Sequence, residues 1–350
     1  MSTSIASEGT KSRALLSDKI KAHIRGKAKP VGSLGRLEEL AVQIGLIAGT
    51  TTPDLGEARI MVFAGDHGIT AEGVTAYPSV VSGEIAKLVL AGSAGVNVLA
   101  RASGVRVELV DAGLLAPLPH HEAMIDYRVG PGTRNARREP AMSVEQCTAA
   151  LDAGRALDAR LGEANVGIVG YGEIGIGNTS AASLIAHALT GIDLRTLVGP
   201  GAGAPALGLE HKYEVLREAL ARAAIGPSTE GGRTFEVLRQ FGGFEIVMMA
   251  GAMTAAAAAG RVIVVDGFIS TAGAIAAEAL HPGTLDNCVF AHCSAEPGHA
   301  ALLHHLRVQP LLELQMRLGE GTGAALAIPI VRAAELMLRE MADLPGEHPA

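Results

Sequence analysis

The chain has 350 residues, 48% of them hydrophobic, and a formal net charge of −7. That apolar fraction supports a large core and one or two domains. Aromatic residues make up 3% of the chain, Trp is absent and glycine numbers 44, so there is little stacking surface for nucleic acid and no long basic run for a polyanion. The three cysteines, Cys147, Cys288 and Cys293, are an odd number without Cys-x-x-Cys spacing. This argues against a disulfide framework or a zinc site and for reduced thiols. The N-terminal stretch is polar without an apolar core of signal-peptide length, and the most apolar stretch, Ile246 to Gly260, is mostly alanine and too short for a bilayer. A soluble cytoplasmic protein with no membrane or nucleic-acid partner is expected.

In chain order, Ser4 to Arg25 and Leu34 to Ala48 read as helices, the second with Leu37, Leu40, Ala41, Ile44 and Ile47 on one face. Short runs rich in Val and Ile then alternate with helix-length segments. Strands are predicted over Ala58 to Asp66, Val105 to Gly113, Ala164 to Gly172, Leu194 to Gly201, Glu245 to Ala252, Arg261 to Phe268 and Cys288 to Ser294. Between and after them, helices are predicted over Ser79 to Ala102, Ser143 to Leu161, His211 to Ala224 and Gly323 to Ala342. Most of the strand candidates lack apolar–polar alternation, as strands covered on both faces do. The expected fold is therefore α/β: a mainly parallel, Rossmann-like sheet with helices on both faces. Residues 1–50 and 320–345 are expected to form a small helical subdomain beside a large α/β domain, 55–319, that carries the cleft.

Four runs end in small or acidic residues: FAGDHG, GYGEIGIGNT, VVDGFIST and AHCSAEPGH. Ligands of an open parallel sheet bind beyond the carboxyl ends of its strands, so these endings can converge on one cleft. The spacing Gly170-x-Gly172-x-x-Gly175 imitates a dinucleotide fingerprint. However, the loop continues through Ile176-Gly177-Asn178 before a helix from Thr179, Asp193 precedes the next predicted strand instead of ending it, and Glu173 would repel a diphosphate. A single-anion site fits better: Gly175, Gly177 and Asn178 free backbone N–H groups, and Asn178 or Thr179 caps a helix whose positive end faces the anion. Val262 to Gly273 looks like the diphosphate-ribose loop of ordinary phosphoribosyltransferases, but Gly267 replaces the second acid and Ala272 a glycine. Asp66-His67 fits a strand-end Asp capping its own loop better than a metal site or proton relay.

Several motifs in chain order carry a more specific resemblance: KPVGSLGRLEELA (Lys29 to Ala41), FAGDHGITAEGVTAYPSVVS (Phe63 to Ser82), GPGTRN (Gly130 to Asn135), GEIGIGNTSAAS (Gly172 to Ser183), VVDGFISTAGA (Val264 to Ala274), HCSAEPGH (His292 to His299) and LGEGTGAALAIP (Leu318 to Pro329). As a set they resemble the nicotinate-nucleotide:dimethylbenzimidazole phosphoribosyltransferase family. The resemblance implies transfer of ribose 5-phosphate from nicotinate mononucleotide to 5,6-dimethylbenzimidazole or a related base, giving α-ribazole 5′-phosphate and nicotinate. A pyridinium leaving group needs neither diphosphate nor magnesium, so no metal or cofactor is implied, and a homodimer is.

The resemblance makes Glu320 of GEGTG the general base; without it, GEGTG reads as a flexible loop with a solvated acid. It places Glu173, Gly175, Ile176, Gly177, Asn178, Thr179, Gly201, Gly203 and Lys212 around phosphate and ribose. Thr75, Tyr77, Ser79, Leu318 and Gly319 are expected to wall the base pocket, the alternative for the first three being that Tyr77-Pro78 simply forms the turn before a helix. The segment Gly199 to Ala206 departs from the family pattern: Ala202 stands in place of Thr, and Ala204-Pro205-Ala206 is apolar. The competing readings are a magnesium-dependent phosphoribosyltransferase using phosphoribosyl diphosphate, a dinucleotide-dependent dehydrogenase, and a non-catalytic relative that binds nucleotide or base.

Overall fold

The computed structural model describes residues 2–201, 206–226 and 230–345. The chain opens with α1 (Ser2–Arg25) and α2 (Arg36–Ala48), then enters the sheet at β1 (Glu57–Gly65). Helices α3 (Val80–Leu90) and α4 (Gly95–Ala102) lead to β2 (Arg106–Gly113) and β3 (Met124–Asp126). Helix α5 (Val144–Glu163) returns the chain to β4 (Val166–Ile174), which runs into α6 (Asn178–Thr190). Four helices follow: α7 (Leu194–Leu197), α8 (Ala206–Ala223), α9 (Glu230–Phe241) and α10 (Phe244–Ala258). The last strands are β5 (Val262–Val265) and β6 (Cys288–Phe290), separated by α11 (Phe268–Leu280) and followed by α12 (Pro297–Leu306) and α13 (Thr322–Glu340).

Among the described residues the strands form one six-stranded parallel sheet in the order β3-β2-β1-β4-β5-β6. This is the doubly wound Rossmann order, with its switch point between β1 and β4. Ile60 pairs with Val107 on one side and Gly170 on the other. Pleating sends alternate residues of β1 to opposite faces. Met61 and Phe63 join a core with residues of α5, α10 and α11, while Ile60, Val62 and Ala64 join a second core with α2, α4 and α13. The terminal helices α2 and α13 pack on each other and on that second face.

The Val/Ile runs at β1, β2, β4, β5 and β6 are strands, as expected. Two predicted strands are not. Glu245 to Ala252 lies inside α10, a helix buried on nearly every side between the sheet and α5. A run apolar all round gives the same pattern in a buried helix as in a buried strand, and its Met and Ala favour the helix. Leu194 to Gly201 instead starts with the short α7, whose Asp193 carboxylate accepts from the N–H of Arg195 at 2.7 Å. Strand β3 spans only three residues and carried no apolar run.

The predicted helix Ser79 to Ala102 is two helices of 11 and 8 residues, broken where Gly92 adopts φ 71°. Each half is too short to cross a bilayer. Val262 to Gly273 holds no Thr-Gly turn, because α11 begins at Phe268, directly after Gly267. All three cysteines are free, Cys147 and Cys288 buried and Cys293 half-buried.

Candidate active site

A cavity of about 460 Å³ opens beyond the carboxyl ends of β4, β5 and β6, the place the topology reserves for ligands. A larger groove of about 590 Å³ lies at the opposite ends of β1 and β2, and carries no comparable set of buried acids. Three of the four acidic or small strand endings meet in the cavity: Glu173 to Ile176 with Asn178 and Thr179, Asp266 to Ile269, and His292 with Ser294 and Glu296. The fourth, Asp66-His67, stays behind it. The GEGTG loop closes the cavity through Leu318, Gly319 and Glu320, with Arg317 beside them.

The carboxylate wall is built by two loops pressed together. Strand β4 ends in Gly172-Glu173, and any side chain at Gly172 would collide with the backbone of Glu320 and Gly321. The Glu320 N–H donates to the Glu173 carbonyl at 3.2 Å. Gly319, Glu320 and Gly321 take φ values of 78°, 62° and 88°, so three successive residues are left-handed. For Glu320 that conformation is costly, and its presence next to the cavity marks a constrained site.

Asp266, at the end of β5, fixes this loop. Its Oδ2 accepts from Gly321 N–H at 3.2 Å and its Oδ1 from Ala324 N–H at 3.0 Å, which caps the start of α13. Each oxygen of Asp266 is thus engaged by a backbone amide, which commits the residue to holding this loop. Glu320 in turn sets Oε2 at 3.3 Å from the Val96 N–H, at the start of α4.

The three acids titrate differently. Burial raises the Glu320 carboxyl above the usual range, and the Val96 and Gly95 amides hold it back. Burial and the neighbouring charges of Asp266, Glu245 and Glu320 push Glu173 well above its usual value, against a hydrogen bond donated by the Asn178 amide. Burial lifts Asp266 to about 7, opposed by its backbone hydrogen bonds. Acids pushed upward by burial and by one another in a cleft are candidates for proton-transfer chemistry.

At the other end of the cavity the groups suit an anion. Helix α6 begins at Asn178 with its N-cap on Gly177, at φ 95°, so neither Asn178 nor Thr179 is the cap. Asn178 instead directs its amide to Glu173. Gly175, Ile176, Asn178, Thr179 and Gly201 line the cavity. The Ile176 N–H is already bonded to Ser82 Oγ at 2.9 Å, which ties the turn to α3.

Lys212 is fully buried behind this surface. Its Nζ donates to Thr179 Oγ1 and to the Gly199 carbonyl, both at 2.9 Å. Burial lowers it to about 8, and the charge of Glu296 opposes that shift. Glu296 is raised by burial against Lys212, the Gly201 N–H and Arg317.

The expected base-pocket residues divide. Tyr77, Leu318 and Gly319 line the cavity with Val81 and Ile85 of α3. Thr75 and Ser79 do not: the Thr75 hydroxyl accepts from the Tyr77 N–H at 3.4 Å, and the Ser79 hydroxyl pairs with Thr70 at 3.0 Å, so both stabilise their own loop. Gly177 shapes the turn without facing the cavity, and Gly203 lies outside the described residues, as do Ala202, Ala204 and Pro205 of the departing segment.

Sequence reasoning did not choose Asp266, His292, Glu296 or Arg317 as site residues. The first three stood in strand endings already suspected of facing a cleft, and Arg317 directly precedes Leu318. The loop after β6 is secured by His299, which accepts from Ser294 N–H at 2.8 Å through Nδ1 and pairs with Thr271 at 3.0 Å through Nε2. No group of three or more His, Cys, Asp or Glu side chains among the described residues is arranged to hold a metal ion.

The family model described as phosphoribosyltransferase matches residues 11–346. The nicotinate-nucleotide–dimethylbenzimidazole phosphoribosyltransferase of Cupriavidus necator is 48% identical over 331 residues, spanning 95% of this chain and 94% of that protein. The protein of the same name from Aromatoleum aromaticum is 46% identical over 327 residues, 93% of each chain. The crystal structure of CobT from Thermus thermophilus superposes with a TM-score of 0.89 at 38% identity, covering 94% of this chain and 97% of the other. The chain belongs to the nicotinate-nucleotide–dimethylbenzimidazole phosphoribosyltransferase family and is an enzyme that transfers a phosphoribosyl group.

Proposed function

We propose that the protein moves ribose 5-phosphate from nicotinate mononucleotide to 5,6-dimethylbenzimidazole, with Glu320 as the general base. The observation that carries this is the polarity of one cavity: a carboxylate on a fixed left-handed loop faces one end, and a glycine turn with a buried lysine behind it forms the other. The phosphate occupies the turn of Gly175 to Thr179 with Gly201, and Lys212 supplies charge through Thr179. The apolar side of Tyr77, Val81, Ile85 and Leu318 takes the flat bases.

One benzimidazole nitrogen attacks the anomeric carbon while the bond to the pyridinium nitrogen breaks and its electron pair returns to the nicotinate ring. The carbon inverts from β to α. The proton on the other benzimidazole nitrogen passes to Glu320, a step worth about 10²–10⁴ in rate. Glu173, whose carboxyl burial and its acidic neighbours push upward, lies beside the reacting sugar. Holding both rings on opposite faces of one carbon supplies most of the remaining acceleration.

The test is incubation with nicotinate mononucleotide and dimethylbenzimidazole, with and without EDTA, followed by product identification. Nicotinate and α-ribazole 5′-phosphate formed equally in both is the expected result. A requirement for phosphoribosyl diphosphate and magnesium, or ligand binding without nicotinate release, would sink the reading. We further infer a cytoplasmic homodimer in which residues 1–50 and 320–345 form a small helical subdomain beside an α/β domain of 55–319. The family resemblance supports this, and light scattering with limited proteolysis tests it.

A further inference from the structure

Behind the glycine turn lies a buried pair that the proposed reaction does not use. His67, just past β1, sets its Nε2 at 2.7 Å from Oε1 of Glu245, in the first turn of α10, and both residues are buried. The second oxygen of Glu245 is buried with no hydrogen-bond partner. Glycines make room for the pair: a Cβ at Gly65 would stand 2.6 Å from Glu245 Oε2, and one at Gly243 would collide with both side chains. On its other side the histidine meets the anion turn. A Cβ at Gly175 would stand 3.2 Å from His67 Nε2, and one at Gly177 3.4 Å from His67 Cβ.

A pair buried this deeply is a poor source of stability, since both charges leave water and one carboxylate oxygen stays unbonded. Burial pulls the imidazole pKa down, but the charge and hydrogen bond of Glu245, with Asp66 adding to them, hold it above its usual value. The other titratable group in reach is Glu173 on β4, whose carboxyl feels Glu245. The ring thus lies directly beneath the start of α6, where the helix presents its positive end.

We propose that His67, paired with Glu245, is a positioning residue for phosphate recognition: it props the Gly175–Gly177 turn and so sets the amides that face the bound anion. This rests on the reading above that the turn takes the 5′-phosphate. His67 touches no substrate atom, and Glu245 keeps the ring in place.

The test compares two ligands that differ only in the phosphate, α-ribazole 5′-phosphate and α-ribazole, by calorimetry. The variants are His67→Gln and the double variant His67→Gln/Glu245→Gln, which leaves no unpaired carboxylate in the core. Gly177→Ala serves as a control on the turn, and thermal unfolding checks each protein. Loss of the prop beneath the turn is expected to weaken the phosphorylated ligand about 10-fold and leave α-ribazole within about 2-fold. The KM for nicotinate mononucleotide rises with it, and that for dimethylbenzimidazole does not. Equal weakening of both ligands, or no change in either, in a folded double variant overturns the proposal. If Gly177→Ala also keeps the full preference for phosphate, the turn is not the phosphate site and the underlying reading has failed. If only the histidine variants keep it, the reading stands and this proposal falls.

Discussion

The two Gly-Glu loops of the site, Gly172-Glu173 and Gly319-Glu320-Gly321, share a sequence pattern and touch each other, yet they present their acids in opposite ways. Glu173 ends a strand in ordinary geometry and is surrounded by Asp266, Glu245 and Glu320, so its proton is held tightly. Glu320 sits on a left-handed backbone with two amides at the start of α4 beside its carboxylate, so its affinity for a proton rises less. Burial acts on both. The difference lies in what replaces water: carboxylates around one, helix-end amides around the other. Both carboxyls are raised, Glu173 the further of the two.

The largest break in this contrast is Glu320→Gln. It is expected to fold normally and to lose about 10²–10⁴ in kcat, read from nicotinate release. Because Glu320 must be ionised and its pKa is raised from the ordinary 4.5, wild-type kcat/KM should climb with pH through a midpoint above that value. The variant's residual rate should lack that limb.

Gly319→Ala comes next. A methyl group there collides with the Glu173 carboxylate at a residue held at φ 78°, which couples the two loops directly. A loss of about 10² in kcat is expected from misplacing the base by around an ångström. Glu173→Ala in the same chain should relieve the collision but not the backbone cost of about 1–2 kcal/mol.

Asp266→Ala removes the acceptor for the Gly321 and Ala324 amides. A loss of about 0.5–2 kcal/mol of stability is expected, as for other lost helix caps. Asp266→Asn, which keeps one acceptor, should fall between Ala and wild type in both melting temperature and kcat.

The smallest effect concerns Glu173 alone. A carboxyl whose folded pKa is raised binds more protons folded than unfolded, so its contribution to stability declines as pH rises above 4.5 towards the folded value. Glu173→Gln removes that penalty, and its melting temperature relative to wild type should therefore increase with pH. A flat difference across that range would show that Glu173 is ionised in the folded protein, erasing its contrast with Glu320.

Much of this was legible in the sequence because parallel strands buried on both faces write themselves as Val/Ile runs, and because glycine and acid after a strand point to a cleft. Helix α10 was not legible as a helix, since burial on every side removes the period that would distinguish it from a strand. The role of Asp266 was hidden for a different reason. Its acid was visible at the end of VVD, but the amides it caps lie 55 and 58 residues further on, and only the fold brings them together. The packing of Gly172 against Gly321 is invisible for the same reason. Thr75 and Ser79 were over-read: hydroxyls near an aromatic suggested a pocket wall, whereas their hydrogen bonds close a local turn.

The left-handed trio 319–321 has a consequence for changing what the enzyme accepts. A carboxylate mounted on two such glycines and anchored to the head of α13 has no freedom to follow a larger or smaller ring. Adaptation must fall on the replaceable side, where Tyr77 is half-exposed and Val81 and Ile85 project from a short surface helix. Leu318 and Gly319, next to Glu320 on the same loop, are where the shape of the pocket and the position of the carboxylate stay coupled.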